Sequence, residues 1–284
     1  MSTSHRHHFL PEFYLKGFTN AQGMFAVYNA QKQSIKKNWH SPKSHFFVPD
    51  HNSMEVNGLS TDVPEQAFSI IDRRMSVIFQ KLHGYAGVPK LTVSEMVGLW
   101  YFLSNLFWRN PGNDTKFEKD LDIIKARTQV SLFSAETRRE IAGFPDLTFS
   151  DKDLIRFMRP LAGSQSVQKS AGQNFRHWKI LYSSSGQFIC GDRPFIAQDE
   201  NNLFESSFVV PLTKHHLLIK CPYNHSSIPA QVIQCILLAL IQQANEFCAG
   251  PDKALFEARI KDPSYYSIEF LKDIIFGFLL DNHD

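Results

Sequence analysis

Ser207-Phe208-Val209-Val210-Pro211-Leu212, then Thr213-Lys214-His215, then His216-Leu217-Leu218-Ile219-Lys220, is the stretch whose reading decides the fold. Two apolar, β-branched runs on either side of a short polar turn form a hairpin, so neighbouring strands run antiparallel. Just upstream, His177-Trp178-Lys179-Ile180-Leu181-Tyr182, a turn over residues 183–186 and Gln187-Phe188-Ile189-Cys190 carry the same signature and predict another hairpin. Gly191-Asp192-Arg193-Pro194 follows as a turn. Near the start of the chain, residues 24–28 read as a strand, 29–33 as a turn and 34–39 as a return strand. Ser41-Pro42-Lys43-Ser44 is a turn that presents a lysine, and 45–60 read as irregular.

Between these strand-rich parts the pattern is helical. Residues 62–82 carry Val63, Ala67, Ile70, Ile71, Met75, Ile78 and Leu82 at helical spacing, with Asp62 as cap and Pro64 in the first turn. Residues 92–108 follow with Thr92 and Glu95 as a capping box. Further helices are predicted over 115–133, 135–142, 151–161, 229–249 and 267–280. The expectation is an α+β fold of one domain, residues 1–284, with a mostly antiparallel sheet from N-terminal and C-terminal hairpins. A helical middle (about 62–172) packs on it, with a strand-rich part at 176–222 and closing helices over 229–280.

Composition narrows the function classes. A 43% hydrophobic, 20% charged chain of 284 residues is an ordinary globular composition, and its 25 phenylalanines imply an aromatic core. A net charge of +2 excludes a strongly basic coat but not a local basic groove. Cys190, Cys221, Cys235 and Cys248 have no C-x-x-C spacing, which fits reduced thiols in a cytoplasmic protein. No apolar stretch follows Arg6, and the most apolar window (228–240) is too short and polar to span a bilayer, so neither a signal peptide nor a membrane partner is expected. G-x-x-x-x-G-K-S/T, G-x-G-x-x-G, G-x-S-x-G and H-E-x-x-H are all absent, which lowers P-loop, dinucleotide, lipase-type and zincin readings.

The opening His7-His8-x-x-Pro11-x-Phe13-Tyr14-Leu15-Lys16-x-Phe18 resembles the N-terminal motif of a widespread bacterial family, domain-of-unknown-function family 4238. Ser41-Pro42-Lys43, the acids Glu65 and Asp72, Arg109-x-Pro111, Trp178, the Gly191-Asp192-Arg193-Pro194 turn, Pro211-Leu212 and Asn245 match in the family's order. Asp72 stands where glutamate is commoner, which shortens its reach. Gly191 replaces a commoner serine and removes a hydroxyl. The resemblance implies a residue set and no activity.

Each of these residues has a chemical reading and a plain one. His7 or His8 serves as general acid, base or metal ligand, or only locks the N-terminal segment by hydrogen bonding. The pair is similar to the start of His-Asn-His nucleases, but the downstream asparagine and histidine are missing. Glu65 and Asp72, two turns apart, share a helix face at roughly 10 Å along the axis, either in one groove or on a solvated face. Arg109 offers a guanidinium fork or complements a helix dipole. Asp192, at a predicted strand end, is the best acidic candidate or a turn former. Lys43, Tyr14 and Lys16 are candidate substrate contacts. His215 and His216 read as exposed in their hairpin turn, and Trp100 and Trp108 as core.

Histidine, carboxylate, arginine and lysine together suit phosphodiester chemistry. The expected function is a nuclease-like bacterial effector, a toxin or antiphage defence protein, with His7, His8, Asp72, Arg109 and Asp192 catalytic. A divalent metal (Mg²⁺ or Mn²⁺) would sit on His8 and Asp192. Partners would be nucleic acid and a protein such as an antitoxin or defence-system subunit. The alternative is a non-catalytic binding or sensing module for a small anionic ligand or partner protein. A third reading makes the motif a structural staple.

Overall fold

The computed structural model describes residues 5–56, 59–118, 121, 150–169, 175–223, 225, 227–260 and 266–281. The chain opens with strand β1 (Arg6–His8) and a short helix α1 (Glu12–Leu15). Strands β2 (Ala26–Asn29), β3 (Ser34–Ile35), β4 (Phe47–Pro49), β5 (Met54–Val56) and β6 (Leu59–Thr61) follow. Then come helices α2 (Val63–Gly84), α3 (Val93–Trp108), α4 (Thr115–Glu118) and α5 (Asp151–Lys169). The second half holds β7 (Trp178–Tyr182), β8 (Cys190–Gly191), β9 (Ile196–Ala197), β10 (Phe208–Pro211), β11 (His216–Lys220), helix α6 (Ala230–Gln243), β12 (Phe247–Gly250), and helices α7 (Ala254–Ile260) and α8 (Ile268–Leu280).

This is an α+β fold with antiparallel sheets. One sheet has the order β7-β11-β10-β9 and the other β3-β2-β12-β8, with small pairs β1-β4 and β5-β6. Strand alternation divides the core in two. Phe208, Val210 and Leu218 face a cluster with α2 and α3, where Phe79, Phe102 and Leu103 lie. Val209, Leu217 and Ile219 face the opposite cluster, made with α6 and α8. The sheets therefore lie between two helical layers.

The β10–β11 hairpin forms as predicted, in the register Phe208↔Lys220 to Pro211↔Leu217. The hairpin expected over 177–190 does not. β11 is apolar on both faces and takes two partners, so β7 pairs with it rather than with residues 187–190. Residues past the 183–186 turn cross to the other sheet, where β8 pairs with β12. Residues 229–249 are not one helix: α6 ends at Gln243 and Phe247–Gly250 becomes a central strand paired with β2. A short apolar run has no period that separates helix from strand. The N-terminal hairpin and the β10–β11 hairpin fall in different sheets rather than one; β2 is joined to the later part of the chain through β12 and β8. Residues 45–60 hold three strands instead of irregular chain.

The Thr92–Glu95 capping box forms. Asp62 does not cap; its carboxylate accepts from the Ser53 hydroxyl at 2.7 Å. Residues 119–120, 122–149 and 170–174 lie outside the described residues, and with them most of the helix predicted over 115–133 and all of that over 135–142. His216 is buried rather than exposed: its ring meets the Thr213 hydroxyl and the Gly87 carbonyl, each at 2.8 Å. Among the described residues no helix is long and apolar enough to cross a membrane.

Tyr14 is a core residue, not a substrate contact. Its ring packs edge-on against Phe18 and Phe79, and its hydroxyl donates to the Pro211 carbonyl at 2.7 Å. Tyr14→Phe leaves that buried carbonyl without its donor, and a loss of ~1–2 kcal/mol in urea unfolding is expected. An unchanged unfolding midpoint would show the bond to be without consequence.

Candidate functional site

β1 pairs with β4 in the register His7↔Val48 and His8↔Phe47, which sets His7 against the loop that follows β4 and His8 beside Phe47. His7 is fully buried. The backbone N–H of Asn52 donates to its Nδ1 at 2.8 Å, so the ring proton resides on Nε2. Asn52 is the hub: its Nδ2 donates to Glu65 Oε2 at 2.7 Å and its Oδ1 accepts from Arg159 Nη1 at 3.1 Å. Arg159, on α5, also donates to the His51 carbonyl and grips Asp114 with Nε and Nη2 at 2.9 and 2.5 Å.

Arg109 caps the C-terminal end of α3 and is buried. Its Nη1 donates to both oxygens of Asp72 at 3.0 Å, and its guanidinium lies 4.5 Å from the Phe68 ring centre. Burial pushes the Asp72 carboxyl up from its ordinary value, and Arg109 partly offsets this. His8 is half-buried. Burial lowers its pKa, Glu12 opposes that, Arg109 adds to it, and the Pro42 carbonyl accepts from the ring. Nε2 of His8 has no protein partner. Four buried nitrogens of this cluster lack hydrogen-bond partners: His7 Nε2, His8 Nε2, His51 Nε2 and Arg109 Nε. Buried polar atoms without partners are rare, which makes this cluster the candidate site.

The structure thus brings together His7, His8, Glu65, Asp72 and Arg109. The Asp192 backbone meets Asn110, next to Arg109, but its carboxylate is engaged elsewhere. That carboxylate accepts from the backbone N–H groups of Asn245, Glu246 and Phe247 at 2.9, 2.6 and 3.0 Å and holds the turn from α6 into β12. Among the described residues no group of three His, Cys, Asp or Glu side chains is placed to hold a metal ion. Lys16 is exposed, and its charge reaches His83. Lys43 is exposed on the 3₁₀ turn Pro42–Ser44, one residue from the carbonyl that meets His8.

Beyond that turn lies a basic, aromatic strip that the motif reading missed. Lys36 Nζ donates to His45 Nε2 at 2.7 Å and lies 4.3 Å from the Phe247 ring centre. His40 and His45 stack edge-on, and Lys253 lies over Trp39. Burial, then Lys36, holds His45 down to about 4. Phe46, bulky and buried, is held at φ 61°, a left-handed conformation that fixes the link between His45 and β4. Asn52 and Arg159 were missed as well. Arg159 had a sequence signal: it sits on the apolar face of its helix, four residues after Ile155 and three before Ala162.

His51 gives a pH signature. Burial, then the charges of Arg159 and Arg156, push it down to about 3. A folded pKa below the unfolded value near 6.5 makes its contribution complete above about pH 7 and lost as pH falls toward 3. Urea midpoints are expected to fall between pH 7 and pH 5, and His51→Asn to flatten that dependence. Equal pH slopes for the two proteins would contradict this.

The family model described as "Protein of unknown function (DUF4238)" matches residues 6–229. The chain belongs to that family, as its opening motif implied. No curated protein matches it, and no solved structure does.

Proposed function

We propose that the chain is a nuclease-like bacterial effector, a toxin or antiphage defence protein of the cytoplasm, that cleaves phosphodiesters of RNA or DNA. The observation that supports it is His8: an imidazole whose pKa is lowered by burial and whose Nε2 has no protein partner, near Arg109, which Asp72 orients. Nε2 takes the proton of the attacking hydroxyl, from water or a ribose 2′ position, as the new P–O bond forms. The bond to the leaving oxygen breaks, and that oxygen takes a proton from solvent. Arg109 offsets the charge on phosphorus, and Lys43 with the Lys36–Lys253 strip holds the neighbouring backbone.

The test is incubation of the purified chain with end-labelled single-stranded RNA, single-stranded DNA and duplex DNA, each with chelator, Mg²⁺ or Mn²⁺. Cleavage of at least one substrate is expected, with a loss of about 10²-fold or more in His8→Gln at unchanged circular dichroism. No cleavage of any substrate, or equal rates for His8→Gln, would overturn the proposal. The second reading, a module that binds a small anionic ligand, is favoured by the enclosure of His7 and the saturated Asn52 network. Retention of inorganic phosphate without turnover would support it.

A further inference from the structure

On the outer side of α2, away from His8, runs an apolar groove of about 860 Å³ between α2, α3 and α5. Val63, Ile70 and Val77 stand along it, exposed to 46%, 59% and 55%. Their spacing of seven residues places one exposed apolar side chain every second turn, over about 21 Å at 1.5 Å per residue. That is the repeat by which one helix receives another. Ala67, Ser94 and Gly98 line the groove between these side chains, and such small residues admit a close backbone. The far wall is the α5 stretch that includes Pro160 and Leu161.

The unpaired charge at this face is positive: Arg74 lines the groove, and Glu95, the acidic residue that lines it, is held by Lys81. Arg73 and Arg74 are exposed and have no acidic partner among the described residues. The acids of α2 and its cap turn the other way: Asp62 to Ser53, Glu65 to Asn52 and Asp72 to Arg109. We infer that this groove is the docking site for an amphipathic helix of a partner protein, with apolar residues at seven-residue spacing flanked by glutamate or aspartate. A second copy of the chain is a poorer occupant, because the same face would bring its own Arg73 and Arg74 against these.

The probe is a synthetic 21-residue helical peptide with leucine at the seam positions and glutamate beside them, against the same peptide with lysine beside them. Fluorescence anisotropy with the full chain should give micromolar binding of the glutamate peptide and at least tenfold weaker binding of the lysine peptide. Ile70→Asp and Val77→Asp, both at exposed positions, should each weaken the glutamate peptide tenfold. Arg73→Glu with Arg74→Glu should reverse the preference. Absence of binding, equal affinity for both peptides, or indifference to both aspartate variants would overturn the inference. So would sedimentation showing a dimer that Ile70→Asp dissolves, which would assign the groove to a second copy.

Discussion

Arg159→Met is expected to destabilise the fold by ~3–5 kcal/mol, the range for breaking one side of a buried ion pair. The guanidinium is almost wholly buried and serves three acceptors: Asp114, Asn52 Oδ1 and the His51 carbonyl. Methionine fills similar volume but donates nothing, so a carboxylate, an amide oxygen and a backbone oxygen lose their donor together. At ~2–4 °C per kcal/mol the melting temperature should fall by about 10 °C. Asp114→Asn in the same chain should recover part of the loss, because the unpaired charge is then gone. A single variant within 1 kcal/mol of the parent would show that the network does not organise this region.

Asp192→Ala is expected to cost ~3 kcal/mol, since three backbone donors lose one shared acceptor and unsatisfied buried groups cost ~1–3 kcal/mol each before relaxation. Asp192→Asn keeps one acceptor oxygen and should cost less than half as much. Cleavage per folded molecule should be unchanged in both, whereas His8→Gln loses cleavage with little change in stability. A selective loss of activity in Asp192→Asn would return this carboxylate to the chemistry and contradict the role assigned by its contacts.

Asp192 also illustrates what the sequence made legible. An aspartate after a short apolar run fits both a catalytic strand end and a turn, and only the positions of residues 245–247 distinguish them. Helices α2 and α3 were readable because their apolar positions repeat over many turns and their ends carry caps. β12 was not, because four residues after a helix carry no period. His8, Asp72 and Arg109 came from motif spacing, and their meeting depended on long-range packing of α2 against α3 that local pattern does not encode. Asn52 was illegible: its importance is a matter of backbone N–H and amide geometry, which any polar loop residue could display.

The pairing of β2 with β12 has a consequence for how the chain is made. β2 spans residues 26–29 and its central neighbour spans 247–250. At about 5–20 residues per second on the ribosome, β2 waits roughly 10–45 s for that partner. Its open edge is then a template for a wrong strand, so the N-terminal hairpin is the segment on which chaperone protection during synthesis should concentrate.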